Sequence, residues 1–527
     1  MPPESAVIPS PADPGSTGVR LDHGLEPGNR NAIDRVLAEA EAALARSPES
    51  ARAWSLLAHL RASRDEHEIA AALSRRALVL DPANHDARYN LGVSLERSGL
   101  HDEAMHCYRS TIELERRHLG AWLNLGAILR SRGNDGDAIR TWRVAVEEMG
   151  LAPELRFNLG CALLQSGRWR EGWPGYEERW TVHGWCLPVP AHRSPRWCGE
   201  PLPRSVLLVH HEQGLGDTLQ FLRLLPELVG RARIVRFVCP ARLHRLLRSS
   251  PLLVEVSDAT RAIEIRAKIG DGEREAAWIP LLSVADILQL EPIDLPARVP
   301  YLAAEDSLVE KWRRRLDGVC PKRGGSLRVG ICWQGNPNAP ADVGRSFPLA
   351  LFSRLAQIDG VRLISLQKNA GREQLASAPP GLLALDLGSE IDASDDAFID
   401  TAALLHELDL VVTSDTAVAH LAGAMGRPVW LLLKNVPDWR WGRAVGRTPW
   451  YPTMRLFHQP TPGDWAGAID RVAACLERLL EARRSLADSR APETDVTSAL
   501  AAHRAGRLPE AIAGYRRLLR DQPDRPE

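Results

Sequence analysis

Apolar positions in the first third of the chain recur with a helical period, and the pattern itself repeats. Leu57, Leu91, Leu125 and Leu159 fall in register at a step of 34 residues. Ala58, Gly92, Gly126 and Gly160 follow them directly, and Gly99, Gly133 and Gly167 come at the same step. Ala70, Ala104, Ala138 and Gly172 match, as do Tyr108, Trp142 and Tyr176, while Pro48 and Pro82 mark repeat ends. Small residues at two fixed positions let paired helices approach closely, and large ones fill the gaps between pairs. The pattern therefore predicts stacked helix pairs, about three full ones, with a helix over 31–46 capping the stack. The last pair is altered. Pro174 falls inside its second helix, and Trp173 and Trp180, seven residues apart, share a face. This stretch reads either as a seam where the stack docks on the next domain or as a plain capping helix. Residues 1–28, rich in Pro, Gly and Ser, read as a disordered lead, and 184–204, with five prolines, as an extended linker.

From Arg204 the period changes. Short apolar runs at 205–210, 234–238, 328–333 and 361–366 read as strands. Helical stretches at 218–228, 304–316, 348–357, 402–408 (capped by Asp400 and Thr401) and 465–486 lie among them. The clearest unit spans 408–433. Two apolar runs, 410–412 and 429–433, flank Ser414-Asp415-Thr416 and a helical pattern that stops at Gly426-Arg427-Pro428. Strand, turn, helix, strand implies a parallel sheet, so 205–320 and 321–490 read as two Rossmann-like halves with a cleft between them. Ligands of such sheets bind at the carboxyl ends of the strands, where Asp415, Thr416 and His420 should sit. Ser414 and Asp415 suit the N-cap, and the freed N–H groups suit an anion such as a nucleotide diphosphate. The other reading is an ordinary capped helix with a solvent-facing His420. At the end, Gly506, Ala511, Tyr515 and Pro523 keep the spacing of one repeat. Residues 491–527 thus read as a single unit, packed back on the body or opening a longer array.

Composition narrows the function. A net charge of −1 offers no basic field for nucleic acid. Eight cysteines without a C-x-x-C pair argue against a zinc ribbon and a secreted disulfide framework. No apolar run is long enough to span a membrane and no Sec-type leader is evident, so a cytoplasmic location is expected. Sixteen tryptophans imply buried or groove-lining indoles.

Candidate chemistry lies in the α/β part. Gly214-Leu215-Gly216 after a strand suits the approach of a phosphate. Leu219 takes the place of the third glycine of G-x-G-x-x-G, which argues against a nicotinamide site. Asp217, at the helix start on the cleft rim, reads as a general base for an acceptor hydroxyl or as a carboxylate stabilised by the helix dipole. Arg345 reads as a phosphate-neutralising cation or a solvated surface charge. Asp135-Gly136-Asp137 mimics the D-x-D metal motif but falls in a repeat turn and reads as no more than that.

The repeat resembles the tetratricopeptide repeat. Residues 204–478 resemble the family 9 glycosyltransferases, the heptosyltransferase-like enzymes, above all a bacterial subgroup that joins such repeats to this domain. The resemblance is carried by EGWPGYEERW, HEQGLGDTLQFLRLLPEL, VGICWQGNP, RSFPLALF, SLQK, DTAALLHELDLVVTSDTAVAHLAGAMGRPVWLLL, DWRW and WYPTMRLF. It implies a tetratricopeptide α-superhelix over 29–183 followed by a GT-B fold. It also implies an inverting sugar transfer from a nucleotide-diphosphate donor without bound metal or other cofactor. Asp217 takes the place of the family's candidate base, and Arg345 that of a basic residue contacting donor phosphate. Asp415, Thr416, Ala417 and His420 match the donor-binding turn, and Gln334 and Asn336 lie on a donor-facing loop. Two departures stand out: Asn338–Gly344 reads NAPADVG where the subgroup often has N-D, and Ala277–Pro280 reads AWIP where a Phe-Asp pair is expected. The expected partners are a nucleotide sugar and, through the repeat groove, a protein or peptide, with no nucleic acid and no membrane span. Two rivals remain: a non-catalytic scaffold with a degenerate transferase fold, and a nucleotide-sugar epimerase.

Overall fold

The computed structural model describes residues 30–182, 194–251, 262–266, 277–296, 298–322, 325–339, 342–443 and 446–521. The lead and the first part of the linker, 184–193, lie outside them. Helix α1 (Arg30–Arg46) precedes four antiparallel pairs. These are α2 (Ala51–Ala62) with α3 (His67–Leu80), α4 (His85–Arg97) with α5 (His101–Leu114), α6 (Leu119–Ser131) with α7 (Asp135–Met149), and α8 (Pro153–Gln165) with α9 (Trp169–Tyr176). The small-residue series explains the pairing. A side chain at Gly92 would lie 2.7 Å from Tyr108 Cε1, and one at Gly160 would lie 2.6 Å from the backbone nitrogen of Tyr176. The turn glycines Gly99, Gly133 and Gly167 adopt φ of 78°, 84° and 82°, where an L side chain is strained. The fourth pair is cut short: α9 contains Pro174, ends at Tyr176 and tightens into the 3-10 turn Glu177–Trp180.

Two sheets follow. The first has the parallel order β3-β2-β1-β4, from β1 (Leu202–His210), β2 (Ala232–Val238), β3 (Ala262–Arg266) and β4 (Ala277–Pro280). The AWIP departure is thus a strand. Residues just before β1 run alongside it: Trp197 N–H donates to the Trp278 carbonyl at 2.8 Å and Trp278 N–H to that of Pro195 at 3.1 Å. This end of the expected linker is packed structure rather than free chain.

The second sheet comprises β5 (Leu327–Cys332), β6 (Val361–Ser365), β7 (Ala384–Leu385), β8 (Leu410–Ser414), β9 (Val429–Leu433), β10 (Gly446–Arg447) and β11 (Met454–His458). Its order is β10-β11-β9-β8-β5-β6-β7, parallel except for β10 against β11. Strand order reverses between β5 and β8, and in the first sheet between β1 and β4, which is where open sheets leave a crevice at their carboxyl ends.

Several local expectations need correction. The helix expected over 218–228 starts earlier, as α10 (Leu215–Phe221), and bends through a 3-10 turn before Leu225–Leu228. The one expected over 348–357 is a 3-10 turn, Leu349–Phe352, running into Ser353–Ala356. Asp400 and Thr401 do not cap their helix but lie inside Ile399–Glu407. Asp392, eight residues upstream, caps it instead, accepting from Asp400 N–H at 2.7 Å and Thr401 N–H at 3.2 Å. The closing helix does not stop at Leu486 but runs over Trp465–Arg504. The expected terminal repeat is a hairpin of that helix's end with Leu508–Asp521. No described helix is long and apolar enough to cross a membrane.

The cores do not follow the expected domain boundaries. One apolar cluster runs from the fourth repeat (Phe157, Trp169, Trp173, Tyr176) through the first sheet to one face of the second. The other face of the second sheet packs under Trp465, Ile469 and Leu476 of the closing helix. The earlier repeats keep a core of their own.

Candidate active site

The chain leaving β1 turns through His211-Glu212-Gln213 into α10. Gln213 holds φ of 58°, an uncommon conformation for a residue with a side chain. Two side chains fix the turn. Gln213 Nε2 donates to the Tyr176 hydroxyl at 3.1 Å. Buried Glu212 accepts from Arg179 Nη2 at 2.9 Å and from Leu282 N–H at 2.9 Å. Asp217 then sits in the first turn of α10. One carboxylate oxygen accepts from Gly214 N–H at 2.9 Å, and the other from Arg440 Nη2 at 2.6 Å. The helix-start reading of Asp217 therefore holds, and it also faces the second half of the body.

From that half, β8 ends at Ser414, whose hydroxyl is buried without a partner. The N-cap of the helix Ala417–Ala424 is Thr416, not the expected Ser414 or Asp415. The Thr416 hydroxyl turns away from the helix to Thr413 Oγ1 at 3.1 Å and Cys332 Sγ at 3.8 Å. No side chain caps this helix; Ala419 N–H donates to the Thr416 carbonyl at 3.0 Å, which leaves the N–H groups of Ala417 and Val418 available to an anion. Arg345 Nε lies 3.4 Å from Asp415 Oδ2, so Arg345 is not a solvated surface charge. Burial disfavours its charge, but Asp415, then Asp438 and Asp217, outweigh that and raise its pKa.

The two helix starts meet. A side chain on Gly216 would lie 3.0 Å from His420 Cδ2 and 3.5 Å from Ala417 Cα. Any larger residue there would require the His420 ring to give way. His420 is buried rather than solvent-facing: it stacks on Trp441, ring centres 5.1 Å apart, and its Nδ1 lies 3.0 Å from the Tyr451 hydroxyl. Burial pushes its pKa down to about 4, so the ring is neutral near pH 7.

Gln334 and Asn336 lie on the loop after β5. Gln334 N–H donates to Gln367 Oε1 at 3.1 Å, and its side-chain oxygen accepts from Gln374 at 3.1 Å. Asn336 is exposed and accepts from Asn338 N–H within its own turn at 3.1 Å. Gln367 also lines a cleft of about 1090 Å³ at the ends of β6 and β7, with Lys368, Arg372, Asp386 and Ile391.

Asp438 and Arg440 escaped the reading of the sequence. Arg440 Nη1 donates to Asp438 Oδ1 at 2.9 Å and its Nε to Gln220 at 3.1 Å, and the guanidinium lies 4.5 Å from the Trp439 ring centre. Burial works against its charge, yet Asp438 and Asp217 raise its pKa well above the ordinary value. Their loop is held by the repeats. Gln165 Nε2 donates to the Pro437 carbonyl at 2.9 Å, and Arg443 pairs with Asp135 at 2.5 Å. Asp135 is therefore more than a turn residue. Trp439 meets Trp173 at 5.3 Å and Tyr176 at 5.2 Å, and Trp450 stacks on Trp169 at 5.0 Å. The fourth repeat is the expected seam. The DWRW string, charges between tryptophans, was the available signal.

Each acidic side chain of the cleft faces a guanidinium: Asp217 and Asp438 face Arg440, and Asp415 faces Arg345. A possible metal grouping among the described residues, His85, Asp86 and His118, lies in the repeats. There His118 Nδ1 accepts from Ala121 N–H at 3.1 Å, which leaves the proton of its neutral ring on Nε2 and that nitrogen without a lone pair for a metal.

Residues 353–450 match the glycosyltransferase family 9 (heptosyltransferase) family, and residues 57–111 and 89–153 match the tetratricopeptide repeat family. Protein FlbA of Caulobacter vibrioides (strain ATCC 19089 / CIP 103742 / CB 15) is 26% identical over 496 residues, 83% of this chain and 80% of that protein. Among solved structures, MamA aligns with 30% of this chain and 94% of its own at 18% identity, with a TM-score of 0.26. YrrB, described as a TPR protein with an unusual peptide-binding site, aligns with 27% of this chain and 73% of its own at 23% identity, with a TM-score of 0.25.

Proposed function

We propose that this chain, which joins tetratricopeptide repeats to a family 9 glycosyltransferase domain, moves a sugar from a nucleotide-diphosphate donor to a hydroxyl acceptor. The observation that carries the reading is the meeting of the two helix starts at Gly216 and His420. It sets Asp217 of one half opposite the Arg345–Asp415 pair and the uncapped helix of the other. The two sheets then act as the halves of a GT-B fold. The donor diphosphate lies over the start of Ala417–Ala424 beside Arg345, and its nucleoside extends into the cleft at Gln367.

In a single displacement, the acceptor oxygen bonds to the anomeric carbon and that carbon's bond to the diphosphate oxygen breaks. The bonding pair leaves with the diphosphate and the acceptor proton passes to Asp217, which inverts the anomeric configuration. Pairing of the three cleft carboxylates with guanidinium groups supports a reaction without bound metal. The groove of the earlier repeats recruits a protein or peptide acceptor or partner. The seven described cysteines are free, which suits a cytoplasmic location.

A thermal-shift screen of the full chain against nucleoside diphosphates and their sugars tests the donor class, since a ligand bound only by the native state raises the melting temperature. No shift with any of them would sink the reading. With the donor in hand, Asp217→Asn should lower turnover by about a hundredfold or more while donor affinity changes little. Wild-type turnover in that variant would remove Asp217 from the mechanism.

A further inference from the structure

Asp217, Asp415 and Asp438 meet Arg345, Arg440 and Lys434 in the cleft, and Lys434 has no carboxylate of its own. Lys434 follows β9 directly. β9 pairs in parallel with β8, Ser414 lying opposite Leu432, so Lys434 emerges beside Asp415 and Thr416. Its ammonium donates to the Val343 carbonyl at 3.1 Å and forms no ion pair among the described residues. That single acceptor is neutral, and an ammonium has two further N–H donors. Val343 belongs to the loop that leads into Arg345, so both cations border the same space. Burial and the charge of Arg345 both lower the Lys434 pKa, as expected of two cations facing a common site.

The ion pairs of the cleft leave Lys434 unmatched. Arg345 is matched by Asp415, while Arg440 lies between Asp217 and Asp438. Lys434, held by a backbone carbonyl and by no carboxylate, is the cation free to turn to a ligand. The buried, unpartnered hydroxyl of Ser414 and the uncapped helix after it add donors at the same strand ends.

We propose that Lys434 is a second ligand of the diphosphate, gripping it together with Arg345 at the start of the helix Ala417–Ala424. This rests on the reading of the cleft as a donor site. Inorganic pyrophosphate is the probe that isolates it. Calorimetry on the full chain would compare wild type, Lys434→Gln, Lys434→Arg and Arg345→Ala for pyrophosphate, for the nucleoside diphosphate bound best and for its nucleoside. Lys434→Gln is expected to weaken pyrophosphate and the diphosphate by about tenfold or more, the usual worth of a charged hydrogen bond. It should leave the nucleoside unaffected, and Lys434→Arg should keep most of the affinity. Wild-type affinity for pyrophosphate in Lys434→Gln, with a loss in Arg345→Ala, would overturn the role of Lys434 and leave the donor site standing. An equal loss in Lys434→Gln and Lys434→Arg would mark distortion rather than lost charge and would also overturn it. Wild type binding neither pyrophosphate nor any nucleoside diphosphate would overturn the donor site together with it.

Discussion

Burying His420 between Trp441 and Tyr451 ties the stability of the cleft to pH. Its pKa is about 4 in the folded chain, below the ordinary 6.5. As pH falls from 6.5 toward 4, the unfolded chain takes up a proton that the folded chain refuses. Stability is therefore complete above pH 6.5 and declines through that window, by up to about 1.4 kcal/mol per pH unit from this group. His59, His118 and His458 are shifted in the same direction, so the wild-type slope is a sum. Urea unfolding of wild type and His420→Gln between pH 7.5 and 4.5 isolates the one residue. The variant should show a slope shallower by about one proton, and parallel curves would place the His420 ring in water. Arg345 offers a second check at this scale: Arg345→Ala should weaken nucleoside diphosphate by about 1.5–3 kcal/mol and nucleoside not at all, as read by calorimetry.

What was legible at this scale follows from locality. Asp217, Asp415 and His420 lie within seven residues of a strand end, and their neighbours in sequence announce a helix start. Arg440 reaches Asp217 across 223 positions, and no periodicity carries that information.

Among elements, the repeats were the most legible, because each close approach repeats at the same step. Gly92 meets Tyr108, Gly126 meets Trp142 and Gly160 meets Tyr176. The fourth pair differs in that Gly160 faces backbone as well: an added methyl would stand 2.6 Å from Tyr176 N and 2.7 Å from the Gly175 carbonyl carbon. A flexible side chain can swing aside, but backbone must separate. Gly160→Ala is thus expected to destabilise the chain by about 1–3 kcal/mol through overpacking, more than a surface Gly→Ala such as Gly136→Ala, where the nearest group is the far end of Arg140 at 3.7 Å. Denaturant midpoints of the two variants give the comparison, and equal midpoints would mean that α8 and α9 part without cost. Caps were less legible than helices. Asp392 and Thr416 act through turns whose shape depends on distant packing, so the nearer Asp400 and Ser414 were the natural but wrong choices.

At the scale of the whole molecule, the expected division between a recruiting arm and a transferase body near residue 183 meets a shared core. Trp169, Trp173 and Tyr176 of the fourth repeat are buried against Trp439, Trp450 and the first sheet. Truncating a buried tryptophan costs about 3–5 kcal/mol, and a domain's whole stability is about 5–15 kcal/mol. Removing the fourth repeat therefore takes away contacts comparable to the stability of what remains. It also frees Gln213, Glu212 and the Arg440 loop, all of which rest on this repeat. The sequence alone supports the opposite expectation: that a chain beginning near Pro188, lacking every repeat, still binds the donor. With the fourth repeat sharing the body's core, that chain is expected to aggregate or to lose diphosphate binding. A chain beginning at Ala152, which keeps α8 and α9, is expected to bind diphosphate as the full chain does, though with an apolar face of α8 uncovered. Calorimetry and a melting curve on both truncations decide it. Full affinity in the Pro188 chain would show that the fourth repeat merely covers the cleft. Loss in both chains would extend the cleft's support to Asp135 and Arg130 of the third repeat, where Arg443 is anchored.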